Sequence, residues 1–87
     1  MLEKTITITA TKGIHLQPAM LISRYALQRK ELNIRFIKDK NEVSATSVMS
    51  ILSLELSKGS SVTIRLDQED AEAIHHIQGV LEGTVTE

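Results

Sequence analysis

Eighty-seven residues with a formal net charge of -1 suit one small domain over residues 1–87, and two separate cores do not fit that length. The charge provides no basic field for a nucleic-acid backbone, and one Tyr, one Phe and no Trp make poor stacking platforms for single strands, so no nucleic-acid partner is expected. The absence of Cys excludes a disulfide framework and a thiolate metal site. No apolar run approaches the ~20 residues of a membrane span; the opening Leu2-Glu3-Lys4 does not read as a signal peptide, and a cytoplasmic location without membrane insertion is expected.

Residues 4–10 alternate, with Ile6, Ile8 and Ala10 on one side and Thr5, Thr7 and Thr9 on the other, which predicts a half-buried strand. Thr11-Lys12-Gly13 breaks it. From Leu16 the period becomes helical: Ala19, Ile22, Ser23, Ala26 and Leu27 share one stripe, and Pro18 is tolerated in the first turn. Residues 32–38 read as a second strand with Leu32, Ile34 and Phe36 inward. Asp39-Lys40-Asn41 forms a turn into a third strand over residues 42–45.

Thr46-Ser47 caps a short helix over residues 48–56, ended by Lys58-Gly59. Residues 61–66 alternate again, with Val62, Ile64 and Leu66 inward. Asp67 is read as the cap of a last helix with an acidic first turn (Glu69, Asp70, Glu72) and a buried stripe of Ala71, Ile74, Ile77 and Leu81. The order β-α-β-β-α-β-α predicts an α+β open-faced sandwich. One four-stranded, mostly antiparallel sheet carries three helices on one face, and its other face stays wet.

The chemistry concentrates at Gly13-Ile14-His15-Leu16-Gln17-Pro18. Gly13 permits a sharp turn from strand to helix, and His15 falls at the cap position. The backbone N–H groups of Leu16 and Gln17 then lack intrahelical partners, which makes a phosphate-binding backbone. The positive end of the helix dipole opposes a positive charge on the ring and supports a negative one bound to it. His15 is thus a candidate phosphoryl acceptor, though a surface histidine beside a turn is the plainer reading of its position alone. No metal cluster or second acid–base group accompanies it, so neither a metal nor a cofactor is expected, and a carrier fits better than a stand-alone turnover enzyme.

Gly13-Ile14-His15-Leu16-Gln17-Pro18-Ala19 resembles the active-site signature Gly-Ile/Leu-His-Ala-Arg-Pro-Ala of HPr, the histidine-containing phosphocarrier family of the bacterial phosphoenolpyruvate:sugar phosphotransferase system. Thr46-Ser47-Val48-Met49-Ser50-Ile51-Leu52-Ser53-Leu54 resembles that family's regulatory-serine helix, and Gly59-Ser60-Ser61-Val62-Thr63-Ile64 the strand that follows. The resemblance spans nearly the whole chain.

It implies that His15 receives a phosphoryl group on its ring nitrogen Nδ1 from enzyme I and passes it to a sugar-specific enzyme IIA. It also implies that Ser47 is a site for an ATP-dependent HPr kinase, the modified form acting with a catabolite control regulator. Leu16, Met20, Val48, Met49 and Leu52 become the docking face for these partners, with methionine adaptable to several shapes. A monomer is expected.

The sequence also departs from the family. Gln17 stands where an arginine pairs with the phosphoryl oxygens, replacing a charged fork of donors by a neutral amide. Losing such a bond costs roughly 1–3 kcal/mol unless compensated; Lys12 and Arg24 are the candidate substitutes. Thr46, Ser50 and Glu55 also differ around the serine helix. The competing reading is therefore a regulatory HPr-like protein with weak or no transfer at His15, acting through Ser47 and through binding. His75-His76 lie adjacent, which points them in different directions and makes them solvated rather than chelating. Arg24, Arg29 and Lys30 read as a solvated face.

Overall fold

Alternation and helical periodicity are realised in a computed structural model that describes residues 1–85. Strand β1 (Leu2–Thr7) leads to helix α1 (Leu16–Gln28) and a 3-10 turn (Lys30–Leu32). Strands β2 (Arg35–Lys38) and β3 (Asn41–Ser44) form a hairpin, followed by α2 (Val48–Ser53), β4 (Ser61–Leu66) and α3 (Ala71–Glu82). The sheet order is β1-β4-β2-β3, and every neighbouring pair is antiparallel. This is the α+β open-faced sandwich, with its helices packed over one sheet face.

The period-2 side chains decide which face is covered. Ile6, Phe36, Val62, Ile64 and Leu66 are buried beneath Ala19, Ile22, Ala26, Ile51, Ile74 and Ile77 of the helices, in one core cluster. The opposite residues stay wet and pair among themselves. Thr5 and Thr63 share a hydrogen bond of 2.9 Å, and Arg35 and Arg65 both reach Glu42, at 3.2 and 3.3 Å. Such exposed pairs contribute little each; they keep the outer face polar.

Several boundaries differ from the sequence-based expectation. The first strand is Leu2–Thr7 rather than residues 4–10, because Leu2 pairs with Leu66 at one end and the chain leaves the ladder after Ile8 at the other. Leu32 and Ile34 are buried as expected but precede β2, since Asn33 takes a left-handed conformation (φ 48°) that interrupts a strand. Asn41 belongs to β3, paired with Lys38, which leaves Asp39 and Lys40 as the loop.

Helix α2 ends at Ser53 rather than continuing to residue 56. Glu55 turns left-handed (φ 54°), while Leu54 and Leu56 enter the core. Asp70, not Asp67, caps α3: its carboxylate accepts from the Ala73 N–H at 3.0 Å, while Asp67 is taken by Arg35 and by Asn33. The buried stripe shifts accordingly, with Ala73 inside and Ala71 exposed. Leu27, assigned to the buried stripe of α1, is 49% exposed.

Candidate functional site

The turn that presents His15 is fixed from both sides by backbone. After β1, Ile8 still donates to Ser60 O (2.7 Å) and accepts from the Gly59 N–H (2.8 Å), and then the chain swings away. Gly13 donates to Ala10 O at 2.9 Å and Ile14 to Leu56 O at 2.7 Å, with the Ile14 side chain buried. Glycine is required at 13 for two reasons. Its φ is +65°, and a Cβ there would lie 2.7 Å from Leu56 O and 2.9 Å from Ser57 Cα. These contacts are with backbone, which cannot step aside as a flexible side chain can.

His15 follows as the N-cap residue of α1, extended (φ -112°, ψ -164°) and exposed, with no hydrogen bond from its side chain to the helix start. The first helical bond is Ala19 N–H to His15 O, at 3.1 Å. Pro18 has no N–H. The N–H groups of Leu16 and Gln17 find no acceptor among the described residues. Two donors at the positive end of a helix dipole therefore remain available beside the imidazole.

His15 and Gln17 line one open depression of about 400 Å³. Its floor and walls are Thr9, Thr11, Lys12, Gly13, Pro18 and Leu21, with Val80, Glu82, Gly83 and Val85 from the end of α3. The α3 contribution had no sequence signal, because it arrives by tertiary packing of α1 on α3 and no local motif marks it. Lys12 shares this depression; Arg24 lines a separate one with Tyr25, Gln28 and His76.

The other predicted residues lie outside this depression, on α1 and around the start of α2. Leu16 (57% exposed) and Met20 (48%) stand one turn apart on α1, and Met49 on α2 is 73% exposed. Val48 and Leu52 are half-buried against the core, so they are less displayed than those three. Ser47 is the N-cap of α2, its hydroxyl accepting from the Ser50 N–H at 3.1 Å. Ser23 of α1, buried, donates to Thr46 O at 2.6 Å. Its polar atom thus ties α1 to the start of α2, a role its place in an apolar stripe did not announce.

Two surface assignments need correction. His76 is half-buried and stacks on Tyr25, with ring centroids 4.3 Å apart and planes at 27°; His75 is exposed. Arg29 stays partly solvated, at 31% side-chain exposure, but is not a free cation. It pairs with Glu31 (2.7 Å) and Asp70 (2.8 Å), and its guanidinium holds both carboxyls below the usual carboxylate range. The same two bonds raise Arg29, and burial pushes the Tyr25 hydroxyl up. Among the described residues no cluster of His, Asp or Glu is arranged to hold a metal, and no helix is long and apolar enough to cross a membrane.

Known proteins share both the sequence pattern and this fold. Residues 2–82 match the family described as PTS HPr component phosphorylation site. The phosphocarrier protein HPr of Vibrio cholerae is 31% identical over 83 residues, covering 94% of this chain and 96% of that protein. The HPr-like protein Crh of Halalkalibacterium halodurans is 31% identical over 70 residues, covering 80% and 82%. The crystal structure of HPr-C-His from Thermoanaerobacter tengcongensis superposes with a TM-score of 0.82 at 33% identity, covering 97% of this chain and 94% of that one. With its fold, its helix-start histidine and these relatives in agreement, the chain belongs to the HPr family of phosphotransferase-system phosphocarriers.

Proposed function

We propose that His15 is the phosphoryl acceptor, charged by enzyme I and discharged to a sugar-specific enzyme IIA. The observation that carries this reading is the start of α1: an exposed imidazole at an N-cap whose side chain caps nothing, beside two unsatisfied backbone N–H groups. A ring nitrogen attacks phosphorus, and the new N–P bond forms as the donor's bond to phosphorus breaks. The Leu16 and Gln17 N–H groups then meet the phosphoryl oxygens, and the Gln17 amide adds a neutral donor. Leu16, Met20 and Met49, backed by Val48 and Leu52, form the apolar face that partners dock on. The protein works in the cytoplasm as a single monomeric domain without a cofactor.

Incubation with enzyme I and phosphoenolpyruvate tests this directly. The wild-type chain acquires an acid-labile phosphohistidine and His15→Ala does not. Absence of label on the wild type, with a standard HPr labelled in the same reaction, would overturn the carrier reading.

The neutral amide at Gln17 and the similarity to the HPr-like protein Crh favour a second reading, in which Ser47 is the working residue. There HPr kinase transfers a phosphoryl group from ATP to the Ser47 hydroxyl, releasing ADP, and the modified chain binds a catabolite control regulator. A dianion at the start of α2 is compatible with its dipole. Incubation with HPr kinase and ATP separates the two: label lost in Ser47→Ala but kept in His15→Ala supports this reading.

A further inference from the structure

We propose that Lys12 supplies the positive charge that Gln17 lacks, its ammonium meeting the oxygens of a phosphoryl group carried by His15. The inference rests on His15 being the acceptor. It begins from the composition of the depression. Among its described lining residues, Lys12 is the one lysine or arginine and Glu82 the one carboxylate. An anion added at His15 therefore enters a site whose cationic charge comes from residue 12.

Lys12 is also available and well anchored at its base. It is exposed and makes no hydrogen bond or ion pair among the described residues. Several other cations are committed elsewhere: Lys38 to the Leu54 and Glu55 carbonyls, Arg29 to Glu31 and Asp70, and Arg35 and Arg65 to Glu42. The backbone around Lys12 is held by the Gly13–Ala10 and Ile14–Leu56 bonds, so its stem starts from a fixed point three residues before the imidazole. Glu82 is engaged by the Gln78 side-chain amide at 2.9 Å and does not pair with Lys12.

Lysine does this work differently from arginine. An ammonium on a flexible stem meets phosphate as a point charge, without the planar fork that fixes two oxygens at once. Its contribution is therefore smaller, falls with added salt, and depends on charge more than on shape. Glu82, which lines the same depression, repels the same phosphoryl group, which sharpens the need for a cation at 12.

The test is the rate of phosphoryl transfer from enzyme I and phosphoenolpyruvate to wild type, Lys12→Gln, Lys12→Arg and the double variant Lys12→Gln/Gln17→Arg. Lys12→Gln lowers kcat about threefold to tenfold at low salt, with KM little changed. The deficit shrinks in high salt. Lys12→Arg retains the wild-type rate, and Gln17→Arg restores it in the double variant. An unchanged kcat in Lys12→Gln, with the wild type labelled normally, overturns the role of Lys12 and leaves His15 as acceptor. A change confined to KM also overturns it, by moving Lys12 to partner docking. Failure to label the wild type removes the carrier reading itself, and this one with it.

Discussion

Helices α1 and α2 begin in the same way and are finished differently. Each starts from an extended residue after a turn, His15 in one and Ser47 in the other. Ser47 folds its hydroxyl back onto the Ser50 N–H, whereas His15 gives its helix nothing. The Ser47 cap takes up the third N–H of its helix and serves stability, whereas the third position of α1 is Pro18, which has no N–H to cap. An uncapped start keeps its donors for a ligand and stands on anchoring from elsewhere, here the backbone bonds on either side of Gly13. The two ends are joined through the Ser23 hydroxyl on Thr46 O, so one pair of helices carries both an uncapped and a side-chain-capped start.

Breaking the anchor has the largest effect on this contrast. Gly13→Ala forces a left-handed alanine and drives a methyl group against Leu56 O and Ser57 Cα, at 2.7 and 2.9 Å. A loss of roughly 2–4 kcal/mol is expected in urea unfolding, with transfer to His15 falling in parallel because the turn that aims the ring has moved. Retained activity at reduced stability would show that the backbone anchor is not what positions His15.

Swapping out the two N-caps themselves sharpens it next. Ser47→Ala removes a side-chain cap and costs about 1 kcal/mol, a fall of about 4–8 °C in Tm for a domain of this size, while enzyme I still labels His15. His15→Ala does the reverse: transfer is abolished and stability changes by less than about 0.5 kcal/mol, since no bond is lost. Equal thermal shifts in the two variants would erase the distinction.

Much of this contrast was legible in the sequence, and the illegible parts share one cause. The strand at 61–66, the cap at Ser47 and the helix start at His15 depend on residues within one turn of each other, so local pattern suffices. Asp67 reads as the cap and Asp70 as an acid of the first turn, and nothing local within that short acidic stretch separates the two roles. Arg35 and Asn33, more than thirty residues away, decide between them by capturing Asp67. Tyr25 likewise covers part of His76 across the α1–α3 interface, and Glu82 joins the depression only because α3 ends there. Gln17 was visible as an anomaly and Lys12 and Arg24 as candidate substitutes, whereas placing Lys12 rather than Arg24 in its depression needed the coordinates.

The third helix start adds a pH dependence to the comparison. Asp70 caps α3 and pairs with Arg29, which holds Asp70 and Glu31 below the usual carboxylate range. The unfolded chain protonates these groups near pH 4, the folded one only at lower pH. Their stabilisation is therefore complete above about pH 4 and is lost as pH falls through the lowered folded values. Asp70→Asn keeps a capping side chain but removes the charge. Its urea midpoint should lie below the wild type at pH 7 and converge with it by pH 2; a constant gap would assign the effect to packing.

The smallest expected effect lies at the far end of α2, where the finish is imperfect. Lys38 donates to the Leu54 and Glu55 carbonyls at 2.9 and 3.0 Å, closing the helix C-terminus, yet Glu55 itself is left-handed. Its negative charge also faces the negative end of the dipole. Glu55→Gly removes both penalties and leaves the two carbonyls, and hence the Lys38 bonds, in place. The gain is about 0.5–1 kcal/mol, reduced from the full left-handed cost by the greater freedom of glycine in the unfolded chain. Raised stability with unchanged transfer to His15 would show that α2 can be completed without touching the open start of α1. A change in transfer would mean that the two helix starts are coupled through Ser23, and the division between a structural end and a working end would have to be redrawn.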